Sequence, residues 1–199
     1  ASTAEQSPEP TANAASDGVP QSTVQAQEGS YVLGSDTVKA ALDEQLQANC
    51  VMLVDEDSGQ YYYTRNIDAK AYPASLTKIM TLLLIFEQLD SGRLSTDTVV
   101  TASANACAMG GSQIWLREGE QMTVDEMIKC IAVSSANDCA VAMAEHICGS
   151  EAAFTKRMNE RAQALGMENT HFLNSTGLTD DPAHYTTAVS YTHLRAHET

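Results

Sequence analysis

Positive charge is scarce in this 199-residue chain: 11 Lys and Arg stand against 26 Asp and Glu, for a formal charge of −15. A net anion is repelled by a phosphate backbone, which excludes nucleic-acid binding through phosphate neutralisation. Long apolar runs are missing too. The nearest, residues 79–86, is interrupted by Thr81 and falls well short of the ~18 residues a membrane-spanning helix needs. Paired Cys-x-x-Cys elements are absent. The five cysteines (Cys50, Cys107, Cys130, Cys139 and Cys148) have small or apolar neighbours, the setting of buried free thiols rather than of a disulfide framework. Cys139, His146 and Cys148 lack paired metal-ligand spacing, so no metal is expected.

Residues 1–30 contain no Lys or Arg, hold three of the five prolines, and offer only Val19 and Val24 as large apolar side chains. Such a segment cannot bury enough surface to offset the entropy of ordering, and a disordered linker, spacer or solvated tail, is expected there. The chain does not begin with Met and carries no signal-peptide pattern; a leader removed before residue 1 accounts for both, and the acidity then suits an exported, soluble protein.

From residue 31 the pattern alternates. Asp36 can cap a helix reaching Leu46, with Val38, Leu42 and Leu46 on one stripe. Residues 50–54 and 61–64 flank Asp55-Glu-Asp-Ser-Gly-Gln60 and predict a hairpin turning at Gly59. Pro73 suits a first helical turn, apolar residues run from Leu76 to Leu89, and Ser91-Gly92 ends that buried helix. Thr123-Val-Asp-Glu126 is a capping box, stapled by Met122 and Met127, for a helix over 124–133. Residues 134–138 break it and can cap a further helix over 139–148. Ser150 caps an amphipathic helix with Phe154, Met158, Ala162 and Leu165 on one stripe, stopped at Gly166. The sum is an α+β chain: one hairpin followed by a mostly helical body.

Chemistry concentrates in two places. In Pro73-Ala-Ser-Leu-Thr-Lys78, Ser75 and Lys78 lie three apart near a helix start and share one face. A serine hydroxyl needs a base, and a lysine amine serves only if desolvation or a neighbouring cation lowers its pKa. Free N–H groups at the helix start face a developing oxyanion. The second place is Ser135-Ala-Asn137, where a hydroxyl and a carboxamide in a tight inter-helix loop can relay a proton and orient an amide. Taken singly, Ser-x-x-Lys recurs by chance and Ser-x-Asn is an ordinary helix cap.

Sixty residues apart, the two are the first two of three motifs that mark penicillin-recognising serine enzymes. The text around them, notably Tyr72-Pro-Ala-Ser-Leu-Thr-Lys-Ile-Met-Thr81, Gly119-Glu-Gln-Met-Thr-Val-Asp-Glu-Met127, Leu165-Gly-Met-Glu-Asn-Thr-His-Phe172, Asn174-Ser-Thr-Gly-Leu178 and His184-Tyr-Thr-Thr-Ala188, resembles the serine D-alanyl-D-alanine carboxypeptidases, the low-molecular-mass penicillin-binding proteins, over about residues 48–188. The resemblance implies part of a serine β-lactamase/transpeptidase-like fold. It implies Ser75 as nucleophile toward peptidoglycan stem peptides, Lys78 as base, Ser135 as proton relay and Asn137 as substrate-binding residue. β-Lactams are implied as covalent inhibitors, no cofactor is needed, and the setting is extracytoplasmic.

One requirement of that family is missing. None of the five lysines (Lys39, Lys70, Lys78, Lys129, Lys156) is followed by Thr or Ser, so the third motif, Lys-Thr-Gly, is absent, and the strands that should pair with the hairpin are expected to be missing with it. Residues 31–188 are therefore expected to be a partial catalytic domain. After Ala188 the resemblance stops, and residues 189–199 read as an in-frame translation of a transposase-type sequencing-library adaptor, an assembly artefact on a truncated gene. Any C-terminal membrane anchor would lie in the missing part. His193 and His197 are spaced like zinc ligands on a helix, but no Glu follows His193. Two other readings stand beside the carboxypeptidase: a serine β-lactamase, which needs a deacylating carboxylate, and an inactive fragment with an exposed sheet edge.

Overall fold

A computed structural model of the chain describes residues 36–55 and 57–195; the expected linker over 1–30 and His197 lie outside the described residues. Helix α1 (Asp36–Gln45) leads into the expected hairpin, β1 (Val51–Val54) and β2 (Tyr61–Arg65), antiparallel with Val51 opposite Arg65. Gly59 turns it at φ +68°, a conformation that costs glycine nothing. Tyr63 is buried and its hydroxyl donates to Asp43, while Arg65 ties the hairpin to α1 through the Leu46 and Asp43 carbonyls (2.9 and 2.8 Å).

The expected helix over 76–89 begins differently from the sequence reading. Pro73 precedes a 3-10 turn (Ala74–Leu76), and α2 (Thr77–Asp90) follows from it. Next come β3 (Val99–Thr101), α3 (Ala104–Cys107) and β4 (Gln121–Thr123). Strands β3 and β4 pair antiparallel, a second two-stranded sheet that the reading of one hairpin plus helices overlooked because each strand is only three residues long. Helix α4 (Val124–Ser134) starts on the capping box: Thr123 Oγ1 accepts from Glu126 N–H at 3.3 Å and Glu126 Oε2 accepts from Thr123 N–H at 2.8 Å. Helix α5 (Asn137–Cys148) starts two residues before its expected position, with Ala136 at its N-cap and no side-chain cap. Ser150 caps α6 (Glu151–Ala164) through Ala153 N–H, as its position suggested. Residues 189–195, expected to be foreign to the domain, continue from Ala188 as α7 (Ala188–Arg195) and bury Leu194.

Helix α5 is the hub. Its residues 137–144 are all buried, because small side chains let α3, α4 and α6 approach it together. One apolar cluster joins Ile85, Val100, Val124, Met127 and Ile131 to α5; a second joins Met80, Leu84, Phe154, Met158 and Met167. Truncating a fully buried aromatic such as Phe154 in such a core costs about 3–5 kcal/mol. The cysteines are free, but only Cys139 is buried; the other four are half-buried, Cys50 in the bend before β1 and Cys107, Cys130 and Cys148 at a helix end or flank. Among the described residues no helix is long and apolar enough to cross a membrane.

Candidate active site

The 3-10 turn places Ser75 at the head of α2, exposed, while Lys78 one turn on is buried at 4% exposure. Lys78 Nζ lies 3.2 Å from Ser75 Oγ and donates to the Thr176 carbonyl at 3.0 Å. Burial holds its pKa down at about 8, so about a tenth of the amine is neutral at pH 7. Of the two routes open to a lysine base, desolvation or a neighbouring cation, the first accounts for this depression.

The turn is strained and buttressed. Ala74 has φ +47°, a left-handed conformation that a side chain adopts only when its surroundings enforce it. The enforcement comes from the loop over 174–178. A Cβ added at Gly177 would stand 1.8 Å from the Ala74 carbonyl oxygen, so the two backbones approach to a distance only glycine permits. Asn174 Oδ1 folds that loop by accepting from Thr176 and Gly177 N–H (3.2 and 2.7 Å), and Glu151 Oε1 accepts from both Ser175 N–H and its hydroxyl (3.0 and 2.7 Å). Thr81 Oγ1 donates to the Ser175 carbonyl at 2.7 Å, and buried His184 reaches Thr77 Oγ1 at 2.9 Å from the other side.

The second motif occupies the turn from α4 to α5. Ser135 has φ +53° and closes α4; its buried Oγ has no hydrogen-bond partner. Asn137 opens α5 with its N–H donating to the Ser112 carbonyl and its Nδ2 donating to the Gly110 carbonyl, both at 2.7 Å. Its Oδ1 is buried and unpaired, a free acceptor for an amide N–H. Asp138, expected as a cap, instead accepts from Ile114 and Leu116 N–H, each at 3.1 Å, and pins the 110–116 segment to the start of α5.

The structure thus pairs Ser75 with Lys78 directly. It links Asn137 to them through Gly111, whose added Cβ would lie 2.9 Å from Asn137 Nδ2 and 3.5 Å from Leu178 on the 174–178 loop. Thr77, Thr176, Gly177 and His184 were not singled out by sequence reasoning. An Asn-x-x-Gly turn signal was visible at 174–177, but nothing local indicated that it backs the Ala74–Ser75 turn one hundred residues earlier. Among the described residues no group of three or more His, Cys, Asp or Glu is placed to hold a metal.

Comparison with known proteins follows the same lines. The family profile for D-alanyl-D-alanine carboxypeptidase, peptidase family S11, matches residues 36–198. D-alanyl-D-alanine carboxypeptidase DacF of Bacillus subtilis is 50% identical over 142 residues, covering 71% of this chain and 36% of the relative. DacA of Escherichia coli is 37% identical over 143 residues, covering 69% and 36%. Among solved structures, penicillin-binding protein 5 of Haemophilus influenzae superposes with a TM-score of 0.73 at 35% identity, over 77% of this chain and 45% of that one. Penicillin-binding protein D2 of Listeria monocytogenes, solved with ampicillin bound, has a TM-score of 0.68 at 27% identity, over 76% and 61%. The chain spans about 36% of the length of the first two curated relatives. With the profile running across both motifs and most of the chain, the protein belongs to the D-alanyl-D-alanine carboxypeptidase family of serine peptidases.

Proposed function

We propose that the parent protein is a serine D-alanyl-D-alanine carboxypeptidase that removes the terminal D-alanine from peptidoglycan stem peptides, with Ser75 as the acylated nucleophile. The observation that carries this reading is the 3.2 Å contact between Ser75 Oγ and a buried Lys78 whose pKa lies at about 8. In its neutral form Lys78 accepts the Ser75 proton while still donating to the Thr176 carbonyl. Ser75 Oγ then attacks the carbonyl between the two D-alanines, and the Ser75 N–H at the helix start stabilises the oxyanion. The unpaired Ser135 hydroxyl relays the proton to the departing amine, and Asn137 Oδ1 accepts a substrate backbone N–H. Water attacks the ester in the second half-reaction, releasing the shortened peptide and restoring Ser75.

β-Lactams mimic the scissile amide and acylate the same serine, in keeping with the ampicillin complex of the Listeria relative. Peptidoglycan lies outside the cytoplasm, which places the protein in the cell envelope. The 199 residues contain no Lys-Thr-Gly, so the chain supplies the nucleophile, base, relay and one substrate contact but not the third motif that the resemblance calls for. We further propose that residues 31–188 are part of that catalytic domain and that residues 189–199 are not its native continuation; resequencing the source locus tests this, and native DNA encoding the tail contradicts it. The activity is tested by fluorescent-penicillin labelling and by D-alanine release from a stem-peptide mimic, with the gene product read through its own codons after Ala188. Labelling lost in Ser75→Ala and D-alanine release are expected. Cephalosporin hydrolysis without D-alanine release supports the β-lactamase reading instead.

A further inference from the structure

Buried His184 stands between the two parts that build the nucleophile. Its Nδ1 lies 3.0 Å from the Leu173 N–H, which can only donate, so Nδ1 is the unprotonated nitrogen. The proton of the neutral ring is then on Nε2, 2.9 Å from Thr77 Oγ1, and it donates there. Thr77 opens α2, immediately before Lys78; Leu173 immediately precedes the loop whose Thr176 carbonyl takes the Lys78 ammonium and whose Gly177 presses on Ala74. A single imidazole therefore connects the nucleophile helix to its buttress by two directional bonds.

We propose that His184 is a positioning residue for acylation, clamping α2 to the 174–178 loop as the neutral Nε2–H tautomer and so fixing Ser75 and Lys78 relative to one another. This rests on the reading of Ser75 as the acylated group. A sliding of the loop by a fraction of an ångström moves the Thr176 carbonyl and the Ala74 turn together, because the close approach at Gly177 leaves no slack. Protonation of Nδ1 turns an acceptor into a donor facing another donor, which breaks the Leu173 bond. Burial keeps the ring neutral below the ordinary histidine range. The titratable groups around it are His171, whose charge opposes protonation, Asp181, whose charge favours it, and Lys78 beyond Thr77. Phe172 covers a ring edge at 5.9 Å between centroids.

The test has two arms. Long-range nitrogen–proton NMR correlation of the imidazoles in the 199-residue chain reads the tautomer without any activity: an unprotonated Nδ1 and a protonated Nε2, held to a pH below ~6.5, are expected. The second arm measures fluorescent-penicillin labelling of the gene product carrying its own codons after Ala188. Thr77→Val, which removes the hydroxyl and keeps the shape, is expected to slow labelling on the order of tenfold while circular dichroism and cooperative unfolding persist. His184→Asn, which retains an acceptor near the Nδ1 position, is expected to restore part of the rate lost in His184→Ala. Below the pH at which NMR shows His184 charging, the wild-type rate is expected to fall with two protons instead of one, and the His184→Asn rate with one. An Nδ1–H tautomer, full labelling in Thr77→Val, or a one-proton slope through the His184 titration overturns the clamp. Failure of the wild type to label overturns the Ser75 reading instead, and the NMR arm still decides the tautomer.

Discussion

The two turns that bear the site chemistry differ in how they are held. At the head of α2 the turn is closed from within the chain. Lys78 has two partners, Gly177 lies against Ala74, and Thr77 and Thr81 are each tied to the segment that follows α6. At the α4–α5 turn the backbone is pinned, through Asp138 and the Asn137 N–H, yet Ser135 Oγ and Asn137 Oδ1 are buried without partners. Buried polar atoms are almost always paired, and each exception asks for an explanation. The contrast fits the proposed division of parts, in which the first turn holds the nucleophile and base preorganised and the second keeps its hydrogen-bonding capacity for a substrate.

The largest expected effect breaks the first turn. Gly177→Ala forces a Cβ into the Ala74 carbonyl at a position with φ +80°, and it is expected to cost on the order of 4 kcal/mol and to abolish penicillin labelling; thermal unfolding beside gel labelling checks both. Next is Lys78→Met, which keeps the buried volume and removes the proposed base. Labelling is expected to drop ~10²- to 10⁴-fold, whereas the wild-type rate should rise with a slope of one in pH up to about 8 and then level. Stability follows the same group. Its folded pKa of about 8 lies below the unfolded value of 10.5, so the unfolded chain binds the extra proton and stability increases with pH between those values. Lys78→Met removes that increase.

Smaller effects sharpen the second turn. Ser135→Ala is expected to slow labelling ~10- to 100-fold while leaving stability within about 1 kcal/mol, because an unpaired hydroxyl has little to lose and the left-handed backbone is as costly for Ala as for Ser. A large loss of stability in this variant would erase the distinction between the turns. The smallest, Ser150→Ala, removes a cap bond made within α6, to Ala153 N–H, and is expected to cost about 1 kcal/mol and to change labelling less than Ser135→Ala does.

Much of this was legible beforehand for physical reasons that can be named. Hairpin, capping box and Ser150 cap are local signals, written within a few residues and read out as such. Ser75, Lys78, Ser135 and Asn137 stood out because two short motifs recurred with family text around them. What was hidden is non-local. Asp138 looked like a cap, but the donors it serves, Ile114 and Leu116 N–H, lie more than twenty residues earlier. Gly177 and His184 act on the Ala74–Thr77 segment across roughly one hundred residues. The short β3–β4 pair carried too few alternating residues to register as strands. The depressed Lys78 pKa needed the depth of its burial to be known, since the sequence left desolvation and a neighbouring cation as two open routes.

The most direct test of the account is mass spectrometry of the benzylpenicillin adduct on the full-length gene product. A penicilloyl ester on the peptide that contains Ser75, lost in Ser75→Ala and forming faster as pH rises toward 8, is the predicted result. An adduct on Ser135, or no adduct at any pH in a folded protein, would contradict it.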